Sequence, residues 1–263
     1  MSVLQWILLA SFAGGVLSAG MAAFAMLARA AWVQTLVSFA IGALLGAAFL
    51  EVIPHAFAHG EAHEVAGAIL GGILLFFLLE KLLLWRHSHD VEDDGHAPAS
   101  AAGGAHAHGP GHVRAGALIV VGDTVHNFLD GILIAAAFLQ STQLGVVTAL
   151  AIVAHEIPQE VGDFLILLHS GFSRAKAFAL NMLSSCATLA GGVLGYYALQ
   201  VVERWMAVLL GGVAASMIYI AVADLIPGLH RRTSLRATVS QTALIALGIG
   251  TIALARALLG HSD

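Results

Sequence analysis

Charge is what this sequence has least of. Only 10% of its 263 residues are Asp, Glu, Lys or Arg, against about 25% in a soluble globular chain. That deficit excludes an ordinary soluble fold. Cysteine is nearly missing as well: Cys186 stands alone, which excludes an intramolecular disulfide, and its small-residue helix predicts a packing role. The 11 Lys and Arg residues form no basic patch, so nucleic acid is not an expected partner. No GxxxxGK[ST] stretch occurs, which removes the phosphate-cradling loop of the common ATPases. The apolar run in MSVLQWILLA has no Lys or Arg ahead of it, and is expected to be a membrane span, not a cleaved leader. The formal charge of −5 says little about partners, because much of it sits in one acidic loop.

What is abundant points the other way. Hydrophobic residues make up 59% of the chain, with 29 glycines, and mean hydropathy is +0.89. Small residues let membrane helices approach closely. Eight segments reach the roughly 20 apolar residues that a bilayer crossing needs: 4–28, 32–57, 64–85, 115–139, 143–170, 175–202, 206–229 and 238–259. The expectation is an all-α polytopic membrane protein, one eight-span domain over residues 1–263, with lipid as its surroundings. One long connection interrupts it. RHSHDVEDDGHAPASAAGGAHAHGPGHVR, residues 86–114, has no apolar period and reads as a disordered His-rich loop.

Orientation follows from the cations. Loops 1–2, 3–4, 5–6 and 7–8 share one side and hold Arg29, Arg86, Arg114, Arg174, Lys176, Arg231, Arg232 and Arg236; the other side has Arg204 and Arg256. Both termini are therefore expected outside the cytoplasm, with the His-rich loop inside. FLEVIPHAF (49–57) and VADLIPGLH (222–230) share an acid-x-x-Pro pattern, a pointer to an inverted repeat.

Two spans carry polar clusters in apolar surroundings. Span 4 contains GDTVHNFLDG (122–131) and span 5 contains AHEIPQEVGDF (154–164). At 3.6 residues per turn His126 and Asp130 share a face, as do His155, Gln159 and Asp163; Glu156 and Glu160 form a second row about 100° around the helix. Asn127 sits beside His126 in the same way. With Asp123 these spans hold five carboxylates. Each costs about 2.5–3.5 kcal/mol at the bilayer centre, so five left unpaired cost on the order of 12 kcal/mol, comparable to the stability of a whole domain. No Lys or Arg lies at that depth in these spans. A divalent cation offsets the cost, because imidazole nitrogen, carboxylate oxygen and amide oxygen are all metal ligands. A lone His or Asn in a membrane helix commonly serves as interhelical glue; two histidines, five acids and two amides on adjacent helices exceed that role. Pro158 removes the hydrogen bond to the carbonyl of Ala154 and is expected to bend span 5.

The two clusters resemble the signature helices of the ZIP family of divalent-metal transporters, in order, residue type and spacing: HNFLDG in span 4 and HEIPQEVGD in span 5. LLFFLLEKLLLWRHSHD (74–90), ahead of a His-rich loop, is similar to the branch with a histidine–glutamate span-5 signature. The resemblance covers nearly the whole chain. It implies an architecture of two bundles that shift relative to each other, and a non-enzymatic function: transport of zinc, and also of iron, manganese or cadmium, toward the cytoplasm. Zn2+, with Fe2+, Mn2+ or Cd2+ as alternatives, is then the transported substrate. The implied location is the bacterial plasma (inner) membrane, and a homodimer the implied assembly. By motif position His126, His155 and Gln159 hold one metal; Asn127, Asp130 and Glu156 line a second, with Gln159 between the two and Glu160 just past the set. The chain departs from the family where Gln159 replaces a second histidine, and where Ser184 or Ser185 stands at a glutamate position of some bacterial members.

Other polar groups remain. His87, His89, His96, His106, His108 and His112, with Asp90, Glu92, Asp93 and Asp94, are candidates for loose zinc chelation. Glu51, His55, His59, Glu61 and His63 would form an outer funnel for cations, Asp224 lies near the opposite end, and Glu80–Lys81 reads as a local structural pair. Two competing functions use the same motifs. HEIPQ begins like the HExxH of an intramembrane zinc metalloprotease, but Gln159 holds the second ligand position. A cation-diffusion-type exporter also places His and Asp in spans; eight spans and termini outside disfavour it.

Overall fold

The computed structural model describes residues 1–25, 31–92, 110–200, 205–230 and 234–259. They form helices α1 (Val3–Ala25), α2 (Ala31–Ala47), α3 (Ile53–His59), α4 (Ala62–Glu92), α5 (Pro110–Gln140), α6 (Thr142–His169), α7 (Arg174–Leu199), α8 (Met206–Tyr219), α9 (Ile226–Leu229) and α10 (Leu235–Leu259). Among the described residues, eight helical stretches are long and apolar enough to cross a membrane. Spans 2 and 7 are each composite: a π-helical turn, Ala48–Val52 or Ile220–Leu225, joins α2 to α3 and α8 to α9. In both, the turn carries the acid of the acid-x-x-Pro pattern, and the proline stands in the first turn of the helix that follows. The cause is local. Pro54 and Pro227 each lack an amide proton and crowd the carbonyl four residues back, and a widened turn absorbs the mismatch.

Two bundles result. α1, α5, α6 and α7 pack on one another, while α2, α3, α4, α8 and α10 form the second set; α2 against α6 is the main contact between the bundles. Within each bundle, glycine lets backbones touch. A Cβ at Gly131 would lie 2.1 Å from the Thr188 carbonyl oxygen, and one at Gly191 would lie 1.9 Å from that of Phe128. In the second bundle, Gly42 and Gly248 play the same part between α2 and α10. α6 is the most deeply placed helix, its buried residues running from Leu144 to Leu167. α4 and α10 lie at the periphery and expose Leu70, Leu74, Leu78, Leu247, Leu254 and Leu258, as lipid contact requires.

Connections are defined by caps. Ser141 alone separates α5 from α6, and its Oγ accepts the Leu144 amide at 3.1 Å. α6 ends at Gly171, where φ is 89°. There the Phe172 amide donates to the Leu167 carbonyl and the Gly171 amide to Leu168, each at 3.1 Å. This is a left-handed C-terminal cap, which favours glycine because a Cβ is penalised there.

Two sequence expectations are modified. The segment 86–114 is not loop throughout: α4 continues to Glu92 and α5 begins at Pro110, so both helices outrun their apolar runs, for which backbone hydrogen bonding suffices outside the bilayer. His96, His106, His108, Asp93 and Asp94 lie outside the described residues. α6 is continuous helix from Thr142 to His169, Pro158 included. Cys186 is exposed on α7, so it does not serve the interior packing its neighbours suggested.

Candidate metal centre

α5 and α6 form a tight hairpin, and both polar signatures lie on its inner faces. His126 and Asp130, one turn apart on α5, meet His155 and Glu156 on α6. One ligand atom from each of the four lies within 4.8 Å of every other. The two imidazole Nε2 atoms are 3.2 Å apart. His155 Nε2 is 3.3 Å from Asp130 Oδ2 and 3.6 Å from Glu156 Oε1; His126 Nε2 is 3.7 Å and 3.4 Å from the same oxygens. Four donors set tetrahedrally at about 2.0–2.2 Å around one zinc ion stand about 3.3–3.6 Å from one another. Five of the six edges of this knot therefore have nearly the length that a single tetrahedral ion imposes.

The electrostatics agree. Asp130 and Glu156 are 2% and 5% exposed. Asp130 Oδ2 and both Glu156 carboxylate oxygens are buried without a hydrogen-bond donor. Such groups are costly in low dielectric unless a cation meets them. His155 Nδ1 lies 3.3 Å from the Ala151 carbonyl. Donation of its N–H there leaves the Nε2 lone pair facing the knot, the orientation that metal-bound histidines use. A neutral imidazole needs just such a partner to fix its tautomer.

Three sequence candidates stand apart from the knot. Asn127 Nδ2 donates to Asp123 Oδ1 at 3.0 Å, and its Oδ1 accepts from Thr188 Oγ1 on α7 at 2.9 Å. Gln159 Nε2 points to the same Asp123 oxygen at 3.4 Å. Glu160, wholly buried, takes the Ser185 hydroxyl at 2.6 Å, while the Asn181 amide donates to its backbone carbonyl at 2.9 Å. These contacts form an adjoining layer that ties α5 and α6 to α7. Asp130 and Glu156 converge with both histidines, and Gln159 lies toward Asp123. His155 and Glu156 are neighbours in sequence, yet both reach the knot because it lies between their two directions. Asp123, counted among the five carboxylates of these spans though not among the ligands, belongs to this layer. Thr188 was missed, because a threonine in a small-residue helix gives no comparable signal.

Elsewhere, His55 and His59 stack with ring centroids 4.3 Å apart. Glu80 accepts the Tyr219 hydroxyl and Lys81 lies over the Phe77 ring, so the expected Glu80–Lys81 pair is replaced by a bond between α4 and α8 and a ring contact.

Comparison with known proteins converges on one family. Residues 3–116 and 104–256 match the family model described as ZIP Zinc transporter. Zinc transporter ZIP4 of Mus musculus is 33% identical over 256 residues, covering 74% of this chain and 38% of that protein. Zinc transporter ZIP13 of Pongo abelii is 33% identical over 239 residues, covering 83% and 66%. Zinc transporter zipt-7.2 of Caenorhabditis elegans is 29% identical over 263 residues, covering 82% and 56%. The chain thus spans between 38% and 66% of the length of these relatives.

Proposed function

This chain belongs to the ZIP zinc transporter family, and from that premise we propose that it carries Zn2+ across the plasma membrane toward the cytoplasm. His126, Asp130, His155 and Glu156 are the residues that hold the ion. The single observation behind this reading is the knot itself: two imidazoles and two buried carboxylates, three of whose oxygens lack a donor, at tetrahedral-edge spacing. Fe2+, Mn2+ and Cd2+ are further substrates of the same mixed nitrogen–oxygen set. Asn127, Gln159 and Glu160 act next to the ion, through Asp123 and α7. Both termini face away from the cytoplasm, in keeping with the cation bias of the loops, and the chain works as a homodimer.

Transport follows from binding that is strong enough to capture and weak enough to release. The family relation and the two-bundle packing support a carrier in which the bundle bearing the knot moves against the other. The metalloprotease reading has no geometric support: the position that would supply the second zinc imidazole is Gln159, and its amide is engaged by Asp123.

The test is zinc uptake into proteoliposomes, with Fe2+, Mn2+ and Cd2+ as competitors. Wild type accumulates zinc, and Glu156→Gln, which keeps the shape but removes the charge, does not. Equal uptake by both would refute the assignment. Uptake should also fall with acidity. The ligands bind as neutral imidazole and ionised carboxylate, so protons and metal compete for the same atoms. Bound metal must therefore compete with protons increasingly as pH drops from 7.5 to 5.5. A flat rate over that interval contradicts the ligand set.

A further inference from the structure

The tip of the α5–α6 hairpin is docked on the second bundle. Gln143, in the first turn of α6, donates from Nε2 to Glu51 Oε1 at 2.8 Å. Glu51 sits in the π-helical turn of span 2 and is 8% exposed. Its other oxygen faces Arg256 Nε on α10 at 3.0 Å. His55, one turn beyond Glu51, lies beside Gln140, the last residue of α5. So one carboxylate oxygen is held inside its own bundle, and the other reaches across to the bundle that carries the metal knot.

We propose that Glu51, held by Arg256, is a latch that keeps the hairpin tip against the second bundle and closes the terminus-bearing end. This rests on the carrier reading above. Three features favour a latch over ordinary packing. The Glu51–Arg256 pair already satisfies the charge within its own bundle, so packing alone does not require Gln143. A hydrogen bond to an ionised carboxylate shielded from water is among the stronger single polar contacts. And the tip is rigidly coupled to the knot: Asp130 and His155 lie ten and twelve residues from Gln140 and Gln143 along unbroken helices, or about 15–18 Å at helical rise. Between tip and knot, Ile134, Phe138, Leu144, Val147 and Ile152 are all buried. His126 keeps 24% side-chain exposure. With the latch made, the knot is sealed toward the termini.

A cysteine reporter tests this. Thr148 is fully buried on α6, between tip and knot. Thr148→Cys in a Cys186→Ser background is exposed in membranes to a water-soluble thiol reagent applied from the terminus-bearing side. The latched protein reacts slowly. Gln143→Leu speeds modification by at least about tenfold, the scale of one charge-assisted hydrogen bond. Gln143→Glu, which sets carboxylate against carboxylate, speeds it further. Exchanging the pair, Glu51→Gln with Gln143→Glu, restores an amide–carboxylate bond and returns the rate toward that of the reporter. Unchanged rates in both Gln143 variants overturn the latch. Were the exchange variant not to fold, the Gln143 variants alone decide, since they leave Glu51 and Arg256 paired. Zinc uptake in the same vesicles separates the two readings: labelling that responds without uptake keeps the latch and removes the carrier, whereas uptake with unresponsive labelling does the reverse.

Discussion

His155→Ala lowers zinc affinity by at least about 100-fold, since even the outer partners of metal ligands contribute 10–100-fold. His155 is the most buried nitrogen of the knot, 1% exposed, and it touches each of the other three members. Water cannot readily replace it, because the imidazole is enclosed by α5 and α6. The loss is readable without transport. At zinc 100-fold above its Kd, wild type gains about 2.7 kcal/mol of stability from the ion; a Kd 100-fold weaker leaves about 0.4 kcal/mol at the same zinc. Thermal unfolding in detergent at graded zinc measures this directly: a rise in Tm for wild type and almost none for the variant. Glu160→Gln is the informative contrast. Its Oε1 accepts from Ser185 and it lies outside the group of four that converge, so its zinc-dependent shift stays close to wild type. Equal shifts in His155→Ala and wild type would remove this histidine from the site.

That contrast also marks where sequence reasoning stops. Helical periodicity correctly placed His126 with Asp130 on one face, because i and i+4 are fixed by the helix itself. It paired the two signature helices through residue type. The family resemblance set Asn127 and Gln159 among the ligands with the histidines and Glu160 just past them; nothing along one helix tells which way a neighbour turns. Their partners come from outside: Thr188 is 61 residues from Asn127, and Ser185 is 25 from Glu160. Gln143 and Glu51, 92 residues apart, were two polar residues near helix ends until the bundles were packed together. The acid-x-x-Pro pattern was legible, but its consequence was a π-helical turn whose shape depends on how the chain absorbs a missing amide proton. Rotation and depth between helices are decided by contact surfaces, and at the α5–α7 and α2–α10 seams glycines set the closest approach.

Gly191→Ala therefore carries the second large effect. The added Cβ would sit 1.9 Å from the Phe128 carbonyl oxygen, an atom of a helix backbone that cannot rotate aside as a side chain can. The helices α5 and α7 must separate. Overpacking a fitted contact costs about 1–3 kcal/mol, and backbone-on-backbone contact places this site at about 3 kcal/mol. The separation also reaches the site layer, because the Thr188–Asn127 hydrogen bond spans the same seam one residue from Phe128. The expected result is a marked fall in Tm together with weaker zinc-dependent stabilisation. Gly67→Ala is the matched control: beyond its own stretch of helix, nothing lies within 4 Å of its Cβ position, and the change should be neutral or slightly stabilising through helix propensity. Gly131→Ala meets the opposite side of the seam, 2.1 Å from the Thr188 carbonyl. Once one alanine has forced the helices apart, the second finds space already opened, so the double variant should lose less than the sum of the singles. Strict additivity would mean that the two glycines relieve separate contacts, and that α5 and α7 do not move as rigid rods.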